Sequence, residues 1–315
     1  MTQSIQEMDS ILGDSNERYF SSGFSKFNYQ IDNFSFATEN ELTGSFRVQY
    51  NGPSRPRGEQ AHLGSMEYTA MSLFLAEGIL LDKFRLTQNE LAMSILHYLS
   101  FQIHAPLEFG ADTNVPFSCR VINTENSLKA INIGLTTMEI RIAHCDIRLI
   151  IDHPGPTHIS KKNFSVWPLR IHSLHKEVYK ERELSISGLS IDPILQRINA
   201  KVEQPKNYKV NPWGISSSKN LLTCLDFLSV TGQLMQVLLY DILKTRRNLC
   251  PNIWLRSMEI KFSRPYQSLS YAAVVNFSSR RSVRRKGVSW QLIDLSSELG
   301  NMKGSFKICH QMPDI

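Results

Sequence analysis

Two apolar stretches carry the strongest fold signal of this sequence, namely Glu67-Tyr-Thr-Ala-Met-Ser-Leu-Phe-Leu-Ala-Glu77 and Asp226-Phe-Leu-Ser-Val-Thr-Gly-Gln-Leu-Met-Gln236. Each is apolar on most of its circumference, which is typical of a helix covered on all sides rather than of a surface helix. The strand patterns that follow them, at residues 99–106 and 257–265, repeat at nearly the same offset as the helices. Two landmarks in one order indicate a duplicated unit, against the alternative of a chance likeness between apolar helices.

Strand patterns surround each of these two helices. The helices are predicted at about 62–81 and 217–243, and turn residues separate the alternating or apolar runs around them. In the first half the strands are predicted at 24–31, 44–50, 99–104, 117–122, 133–135 and 138–151. In the second half they are predicted at 164–172, 183–189, 253–262, 268–277, 288–294 and 305–310. The sequence therefore predicts a helix amid several strands, twice.

A helix that is apolar nearly all round needs cover on most sides, and an antiparallel sheet curled around it supplies that cover. Such a unit resembles the hot-dog fold, in which a sheet surrounds one central helix. We therefore predict an α+β protein, a double hot-dog. The break Pro154-Gly155-Pro156 is the predicted domain boundary, with an N-terminal domain over residues 1–155 and a C-terminal domain over residues 156–315.

Composition bounds the class of protein. The 315 residues are 42% hydrophobic and 20% charged, which excludes a disordered chain. The best apolar run, residues 71–81, is too short to span a bilayer, and the first twenty residues lack the features of a secretory signal. Five scattered cysteines without a C-x-x-C pair disfavour a disulfide framework or a zinc knuckle. These features predict a soluble cytoplasmic protein without a membrane partner.

The second helix differs from the first by a polar stripe that covers about a quarter of its circumference. The stripe consists of Asp226, Ser229, Gln233, Gln236 and Tyr240. Only two of the aligned positions in the first helix are polar, namely Glu67 and Glu77. Buried polar groups must be paired, hydrated or facing a cavity. The stripe therefore predicts either a substrate cleft between the helices or an internally satisfied seam between the half-domains.

If the stripe faces a cleft, it supplies candidate residues for chemistry at a carbonyl group. The candidate catalytic residues are Asp226 and Glu67 as general base or acid, and Gln233 as a partner for a substrate oxygen. The candidate substrate-binding residues are His62, Ser229, Gln236, Tyr240 and Arg256. The alternatives are that His62 is merely a residue of the first helical turn and that Arg256 pairs with Asp226 or faces solvent. Peptide N–H groups at a helix start would polarise a carbonyl without any special side chain.

A basic run stands between two predicted strands near the C-terminus. Its charged members are Arg280, Arg281, Arg284, Arg285 and Lys286. A solvated loop is one interpretation, and a contact for phosphates or for an acidic protein is the other. Nucleic acid is disfavoured as a partner, because no recognised nucleic-acid module accompanies the run.

Motifs for other chemistries are missing from the sequence. There is no G-x-S-x-G, no Walker loop, no G-x-G-x-x-G and no H-E-x-x-H. His172 and His175 are three residues apart, but they lie in a strand-and-loop region without neighbouring carboxylates at metal-ligand spacing. We therefore predict no metal site and no cofactor.

Short motifs are spread along the chain from residue 9 to the C-terminus. They are Asp9-Ser-Ile-Leu-Gly13, Glu17-Arg-Tyr-Phe20 with Gly23-Phe24, His62-Leu-Gly-Ser-Met-Glu67, the run from Asp226 to Tyr240, and Trp254-Leu-Arg256. Together they resemble the avirulence D (AvrD) family of plant-associated bacteria. Where an aspartate is expected in the first helix of that family, this sequence has Glu67, which keeps the carboxylate and adds one methylene of reach.

The resemblance implies a biosynthetic enzyme for syringolide-type elicitors, which are acyl-sugar lactones. It implies an acyltransferase or condensing reaction between a β-ketoacyl thioester and a ketopentose such as xylulose. The butyrolactone (A-factor) synthases, which use dihydroxyacetone phosphate, are similar in logic and in their hot-dog domains. The implied partners are an acyl carrier protein or a coenzyme A thioester and a sugar acceptor, with no cofactor. An acidic carrier protein would suit the basic run Arg280–Lys286 as a docking surface.

Several alternatives stay open at this point. A hot-dog acyl-thioesterase or dehydratase would use a thioester without any sugar, and a non-catalytic module would bind the acyl ligand without turnover. Nucleic-acid binding through the basic run would show an affinity that falls steeply with salt. An open sheet edge would also allow a homodimer.

Overall fold

A computed structural model describes residues 3–5, 8–52, 61–108, 113–128, 133–154, 173–182, 184–203, 213–217, 221–250, 253–264 and 266–312. In this part of the chain thirteen strands form one antiparallel sheet, and two long helices lie against it. The strands are β1 (Gln3–Ile5), β2 (Phe27–Thr38), β3 (Glu41–Tyr50), β4 (Ile95–Ile103), β5 (Thr113–Leu128), β6 (Ile133–Ile142), β7 (Cys145–Pro154), β8 (Ser185–Asp192), β9 (Arg197–Glu203), β10 (Ile253–Phe262), β11 (Ser270–Arg285), β12 (Val288–Leu299) and β13 (Met302–Gln311). The α-helices are α1 (Asp9–Leu12), α2 (Ser65–Lys83), α3 (Gln88–Met93) and α4 (Cys224–Leu243). The prediction of an α+β protein with antiparallel strands is confirmed.

The two halves of the sheet repeat one strand order. From the centre outward the first half runs β4-β7-β6-β5-β3-β2, and the second half runs β10-β13-β12-β11-β9-β8. In the chain α2 lies between β3 and β4, and α4 lies in the same place between β9 and β10. The halves join where β4 pairs with β10, with Leu99 opposite Ile260. Each of these elements therefore has a counterpart in the other half, as the duplicated sequence pattern predicts.

Both long helices are buried over most of their length, which explains why their sequences are apolar on nearly every side. The first helix starts at Ser65, three residues later than predicted, because Gly64 is already extended. The second starts at Cys224 rather than near residue 217, because the Thr223 hydroxyl accepts a hydrogen bond from the Asp226 N–H and caps the helix. None of the helices in the described ranges is long and apolar enough to cross a bilayer.

The ends of the two halves are interleaved. The N-terminal strand β1 pairs with β8 of the second half, with Gln3 opposite Ile191. Residues 173–182 precede the second half in the chain, yet Ser173 donates a hydrogen bond to Glu77 on α2, and the His175 carbonyl accepts one from Tyr29 on β2. The two sets of repeated strands thus lie within residues 27–154 and 185–311, while the segments that flank them cross over. The boundary residues 155–156 and the predicted strand 164–172 lie outside the described residues.

Among the elements that the sequence analysis does not predict are α3 and β9. The helix α3 has only six residues, and its signal is the capping pair of Thr87 and Glu90 rather than an apolar periodicity. The strand β9 has seven residues, and its apolar positions Ile198, Ala200 and Val202 alternate with polar ones, so it carries a short strand signal that the predicted strands do not include. Short elements of this kind depend on the neighbouring strands and helices for their stability.

Candidate functional site

A cleft lies between the beginning of α2 and the middle of α4, with room of about 110 Å³ for water-sized molecules. Both halves of the chain build it. Polar groups are contributed by Tyr19, His62, Gly64, Ser65, Thr231, Gln236, Tyr240 and Arg247. Mostly apolar side chains are contributed by Phe20, Leu63, Ile103, Pro106, Leu228, Met235, Ile253, Trp254, Leu255, Leu295, Phe306 and Ile308. The cleft therefore combines several polar groups with a largely apolar lining, which is the usual composition of a small-molecule site.

The beginning of α2 borders the cleft through Gly64 and Ser65. The N-cap residue Gly64 has no side chain with which to cap the helix, and the N–H groups of Ser65 and Met66 lie ahead of the first intrahelical hydrogen bond. The start of α4 differs, because the Thr223 hydroxyl caps it and residues 223–226 do not line the cleft. Helix starts attract negative charge, so α2 offers the cleft N–H donors for an oxygen that becomes negative during a reaction.

Glu67 reaches the cleft through Tyr19. The Tyr19 hydroxyl donates a hydrogen bond to Glu67 Oε2, which also accepts one from the Gly64 N–H at 2.9 Å. Glu67 is fully buried, whereas Tyr19 is half-buried and lines the cleft. A Cβ atom at position 64 would overlap the Tyr19 hydroxyl, so this close approach requires glycine. Glu67, a predicted catalytic residue, thus lies behind Tyr19 and does not itself line the cleft.

His62 stacks against Trp254, with ring centroids 4.3 Å apart and planes inclined by 28°. His62 precedes α2 and Trp254 lies on β10, so the stack joins the two halves at the cleft. The His62 side chain is half-buried. Histidine is the side chain most often used to move protons near neutral pH. The cleft therefore holds an imidazole beside the N–H groups of α2.

Gln236 and Tyr240 face the cleft from α4, four residues apart on one side of the helix. Gln236 is half-buried, and its amide offers both a donor and an acceptor. Burial raises the pKa of the Tyr240 phenol, and the phenol therefore stays protonated and able to donate a hydrogen bond. Two of the five predicted stripe residues thus line the cleft.

Asp226 does not line this cleft. Its carboxylate pairs with Arg182, with 2.8 Å from Nε to Oδ1 and 2.6 Å from a terminal nitrogen to Oδ2, and both side chains are buried. Oδ2 also accepts hydrogen bonds from the N–H and hydroxyl of Thr223, which completes a capping box at the start of α4. The prediction that Asp226 and Glu67 share one cavity is therefore corrected, because these donors occupy Asp226 at the other end of the helix.

Ser229 and Gln233 hydrogen bond to the N-terminal segment and do not line the cleft. The Phe20 carbonyl accepts hydrogen bonds from Ser229 Oγ at 2.6 Å and from Gln233 Nε2 at 3.3 Å, and Arg18 donates to Gln233 Oε1 at 3.5 Å. Phe20 lies against α4 at Gly232, where a Cβ atom would come within 2.5 Å of its ring. This part of the stripe is therefore the internally satisfied seam that the sequence left as an alternative, and the segment that it binds supplies Tyr19 and Phe20 to the cleft.

Arg256 lies apart from both Asp226 and the cleft. It is exposed on β10 at a β-bulge between Leu255 and Ser257. Its side chain borders a separate groove that also includes Trp290 and Cys309. The alternative pairing of Arg256 with Asp226 is wrong, because Arg182 fills that place.

Glu77 and Gln236, which align in the sequence, have different surroundings. Glu77 is fully buried and accepts hydrogen bonds from Ser173 Oγ at 2.8 Å, the His175 ring at 2.5 Å and the Ile215 N–H at 3.0 Å. Gln236 borders the cleft. The carboxylate on α2 therefore fastens two crossing segments, whereas the amide on α4 is available to a ligand.

Comparison with known protein families identifies the family of this chain. Residues 3–313 match the family described as Pseudomonas avirulence D protein (AvrD). The chain belongs to the AvrD family. The predicted resemblance is thereby confirmed over nearly the whole sequence.

For this AvrD family member, a comparison with curated sequences finds no match, and a comparison with solved structures finds only distant similarity. No curated protein sequence matches it. Among solved structures, acyl-CoA thioesterase II TesB2 from Mycobacterium marinum is 9% identical, with a TM-score of 0.40 over 90% of this chain and 96% of that one. A bifunctional dehydratase-cyclase domain in ambruticin biosynthesis is 10% identical, with a TM-score of 0.36 over 90% and 96%. A dehydratase domain of a mycocerosic acid synthase-like polyketide synthase is 10% identical, with a TM-score of 0.37 over 91% and 94%.

In this AvrD chain the basic run forms the end of a hairpin rather than a loop. Strands β11 and β12 continue as far as Arg285 and Val288, and Lys286 and Gly287 make the turn with φ angles of 48° and 82°. Residues 278–287 are all exposed. No ion pair between described residues includes Arg280, Arg281, Arg284, Arg285 or Lys286. The hairpin end therefore carries five uncompensated positive charges.

Tyr19, Phe20 and Trp254 are among the residues of the cleft that have no clear signal in the sequence. They come from the N-terminal segment and from β10, far from the two helices in the chain. Only the short motifs of the AvrD resemblance include them. Within the described residues no group of three histidine, cysteine, aspartate or glutamate side chains is arranged to hold a metal ion, and His172 lies outside these residues.

Proposed function

We propose that this AvrD family member is a double hot-dog enzyme acting on acyl thioesters. It condenses a β-ketoacyl thioester with a ketopentose such as xylulose and gives a syringolide-type acyl-sugar lactone. The observation that carries the proposal is the cleft itself, in which the start of α2, the His62 imidazole and the Gln236 amide border one largely apolar lining. An acyl chain suits the apolar lining, and a thioester carbonyl with a sugar hydroxyl suits the polar groups.

The first step is transfer of the acyl group to the sugar. His62 takes the proton from a sugar hydroxyl next to the ketose carbonyl while the hydroxyl oxygen forms a bond to the thioester carbon. The carbonyl oxygen becomes negative and accepts hydrogen bonds from the N–H groups of Ser65 and Met66. The C–S bond then breaks, and the thiolate receives the proton that His62 carries. The products are a β-ketoacyl ester of the sugar and a free thiol.

The second step closes the lactone ring. The carbon between the two carbonyls of the ester carries an acidic C–H, and it loses this proton to the same imidazole. The resulting carbanion adds to the ketose carbonyl, so that a C–C bond forms and a five-membered lactone results. The new alkoxide takes the proton back from His62. Gln236 and the protonated phenol of Tyr240 hydrogen bond to the sugar oxygens during both steps.

In this proposal the predicted residues divide into two groups. His62 is the catalytic base, and Gln236 and Tyr240 bind substrate. Glu67 is a positioning residue that acts through Tyr19, and Ser229 and Gln233 hold the N-terminal segment. Asp226 stabilises the start of α4 through Arg182 and has no chemical step.

The test is a reaction of the purified protein with a β-ketoacyl thioester, with and without xylulose. We expect thiol release that depends on the sugar, together with a new acyl-pentose lactone in the mass spectrum. The His62→Gln variant is expected to lose about 100-fold or more in kcat/KM, as is usual when a general base is removed. His97→Gln is the matched control, because His97 lies on β4 away from the cleft and pairs with Asp152.

Three results would overturn the proposal. Equal thiol release with and without sugar identifies a thioesterase, and loss of water from a β-hydroxyacyl thioester without thiol release identifies a dehydratase. Saturable binding of the thioester without any turnover identifies an acyl-binding module.

A further inference from the structure

A second groove, of about 490 Å³, lies beside the cleft. It is bordered by Trp254, Arg256, Trp290, Cys309 and Gln311 and by the segment that follows β4. The groove and the cleft share Ile103, Pro106, Trp254 and Leu255 as wall residues. The two spaces therefore adjoin at these four residues, with Trp254 as a wall of both.

The strand register leads from this groove to the basic hairpin. Trp254 is opposite Cys309, Gln311 is opposite Trp290, and Trp290 is opposite Val283. Directly paired residues point to the same face of a sheet, and neighbours along a strand point to opposite faces. Because Arg281 and Arg285 stand two residues on either side of Val283, both lie on the groove face.

The distance along this face suits a linker rather than a compact group. Three strand spacings separate β10, which carries Trp254, from β11, which carries the arginines, and this corresponds to about 14 Å. Arg256 stands at the groove itself. A chain that runs along the groove therefore meets the rings of Trp254 and Trp290 and the amide of Gln311 on its way, and positive charge at its end.

We propose that this groove holds the pantetheine arm of the thioester donor and that the hairpin docks the acidic carrier protein to which the arm is attached. The inference rests on the proposed function, since it names the carrier of the same acyl group. The thioester end of the arm reaches the cleft past Trp254. The phosphate at the other end lies near Arg281 and Arg285, and acidic side chains of the carrier meet the remaining cations.

The distribution of charge favours a protein carrier over a free nucleotide. Arg280 and Arg284 lie on the face of the hairpin opposite the groove, so a small phosphorylated ligand in the groove does not reach them. The hairpin end is exposed on both faces, and Val283 between the arginines is 41% exposed. A protruding cationic arm with an apolar residue at its centre fits a large acidic surface with an apolar patch.

The first experiment measures binding without turnover. The full-length protein is titrated at low salt with an acidic bacterial acyl carrier protein that carries an unacylated pantetheine arm. The double variant Arg281→Glu/Arg285→Glu is expected to weaken binding about tenfold or more, because two attractive contacts become repulsive. The control Lys303→Glu/Lys307→Glu reverses the same number of charges on β13 and is expected to bind like the parent protein.

The second experiment separates the groove from the hairpin by comparing three donors with the same acyl group. The donors are the carrier-bound thioester, the coenzyme A thioester and the N-acetylcysteamine thioester, which lacks the phosphate and most of the arm. Trp290→Ala is expected to raise KM for the first two donors and not for the third. Arg280→Glu/Arg284→Glu is expected to raise KM for the carrier-bound donor alone.

The outcomes distinguish this inference from the proposed function. Carrier binding that the arginine variants weaken and the lysine control does not would support the inference even if no lactone forms. Equal carrier binding by all variants would overturn it, even if the reaction proceeds with short thioesters. Tighter binding of duplex DNA than of the carrier at the same salt would also overturn it, in favour of a nucleic-acid contact.

Discussion

The guanidinium of Arg182 contacts both carboxylate oxygens of Asp226, and the two side chains are only 4% and 3% exposed. Arg182 also donates to the Leu221 carbonyl, so the pair joins the segment before β8 to the start of α4. A buried charge without its partner is strongly destabilising. We therefore expect Asp226, a candidate catalytic residue in the sequence, to stabilise the fold.

The Asp226→Asn variant is therefore expected to lose about 3–5 kcal/mol of unfolding free energy, because it leaves the Arg182 charge buried and unpaired. Urea denaturation followed by circular dichroism measures this loss. Asp241→Asn is the matched control on the same helix, since Asp241 forms a more exposed pair with Lys244, and a change below about 1 kcal/mol is expected. A stable Asp226→Asn protein without activity would instead return Asp226 to the catalytic step.

Separate substitutions of the aligned residues Glu77 and Gln236 test their different roles. Glu77→Gln replaces one acceptor oxygen by a donor and leaves buried partners such as His175 unsatisfied, at about 1–3 kcal/mol for each group. Gln236 borders the cleft. The Gln236→Ala variant is therefore expected to change the unfolding free energy by less than about 1 kcal/mol and to lower kcat/KM. Thermal denaturation and thiol-release assays on both variants check this, and the reverse pattern would contradict the assignment.

Gly232 makes room for the Phe20 ring against α4. Glycine to alanine in a helix interior normally stabilises a protein by up to about 1 kcal/mol. Gly232→Ala is expected to destabilise this one, because the new Cβ would come within 2.5 Å of the ring and displace the N-terminal segment. The double variant Gly232→Ala/Phe20→Ala should recover part of the loss in a double-mutant cycle. Additive effects of the two changes would show that the contact is unimportant.

His153 links stability to pH. Burial lowers the pKa of His153 below its ordinary value of 6.5, and its ring bonds to Thr136 Oγ1 at 2.8 Å and to the Pro154 carbonyl at 3.2 Å. The unfolded chain therefore binds a proton that the folded chain resists. The stability from this group is complete above about pH 6.5 and falls as the pH decreases below that value.

The measurement for His153 is the unfolding free energy between pH 5 and pH 8 by urea denaturation. His153→Gln keeps a polar side chain that does not titrate, and its stability is expected to fall less steeply towards acid than that of the parent. His104→Gln is the control, because His104 is exposed and pairs with Asp146. Identical slopes for the parent and His153→Gln would contradict the buried neutral histidine.

The positions of the two long helices and their duplication can be predicted from the sequence, but only part of the site can. Gln236 and Tyr240 belong to the predicted stripe and do line the cleft. Ser229 and Gln233 share that stripe, yet they bind the Phe20 carbonyl, because helical periodicity gives the side of a helix and not what covers it. The crossing of β1 to β8 and of residues 173–182 to α2 likewise has no local pattern.

The pattern of apolar and polar residues is enough to predict the general architecture of the molecule. Two all-round apolar helices amid strand patterns require two similar covered units, because burial of apolar surface follows from composition and period alone. Which polar groups line the cleft and which are paired elsewhere follows only from the folded chain. Arg182 reaches Asp226 from outside its helix, Glu67 stands behind Tyr19, and His62 meets Trp254 from the other half. Such pairings depend on distances between segments that are far apart in the chain, which no local pattern of residues encodes.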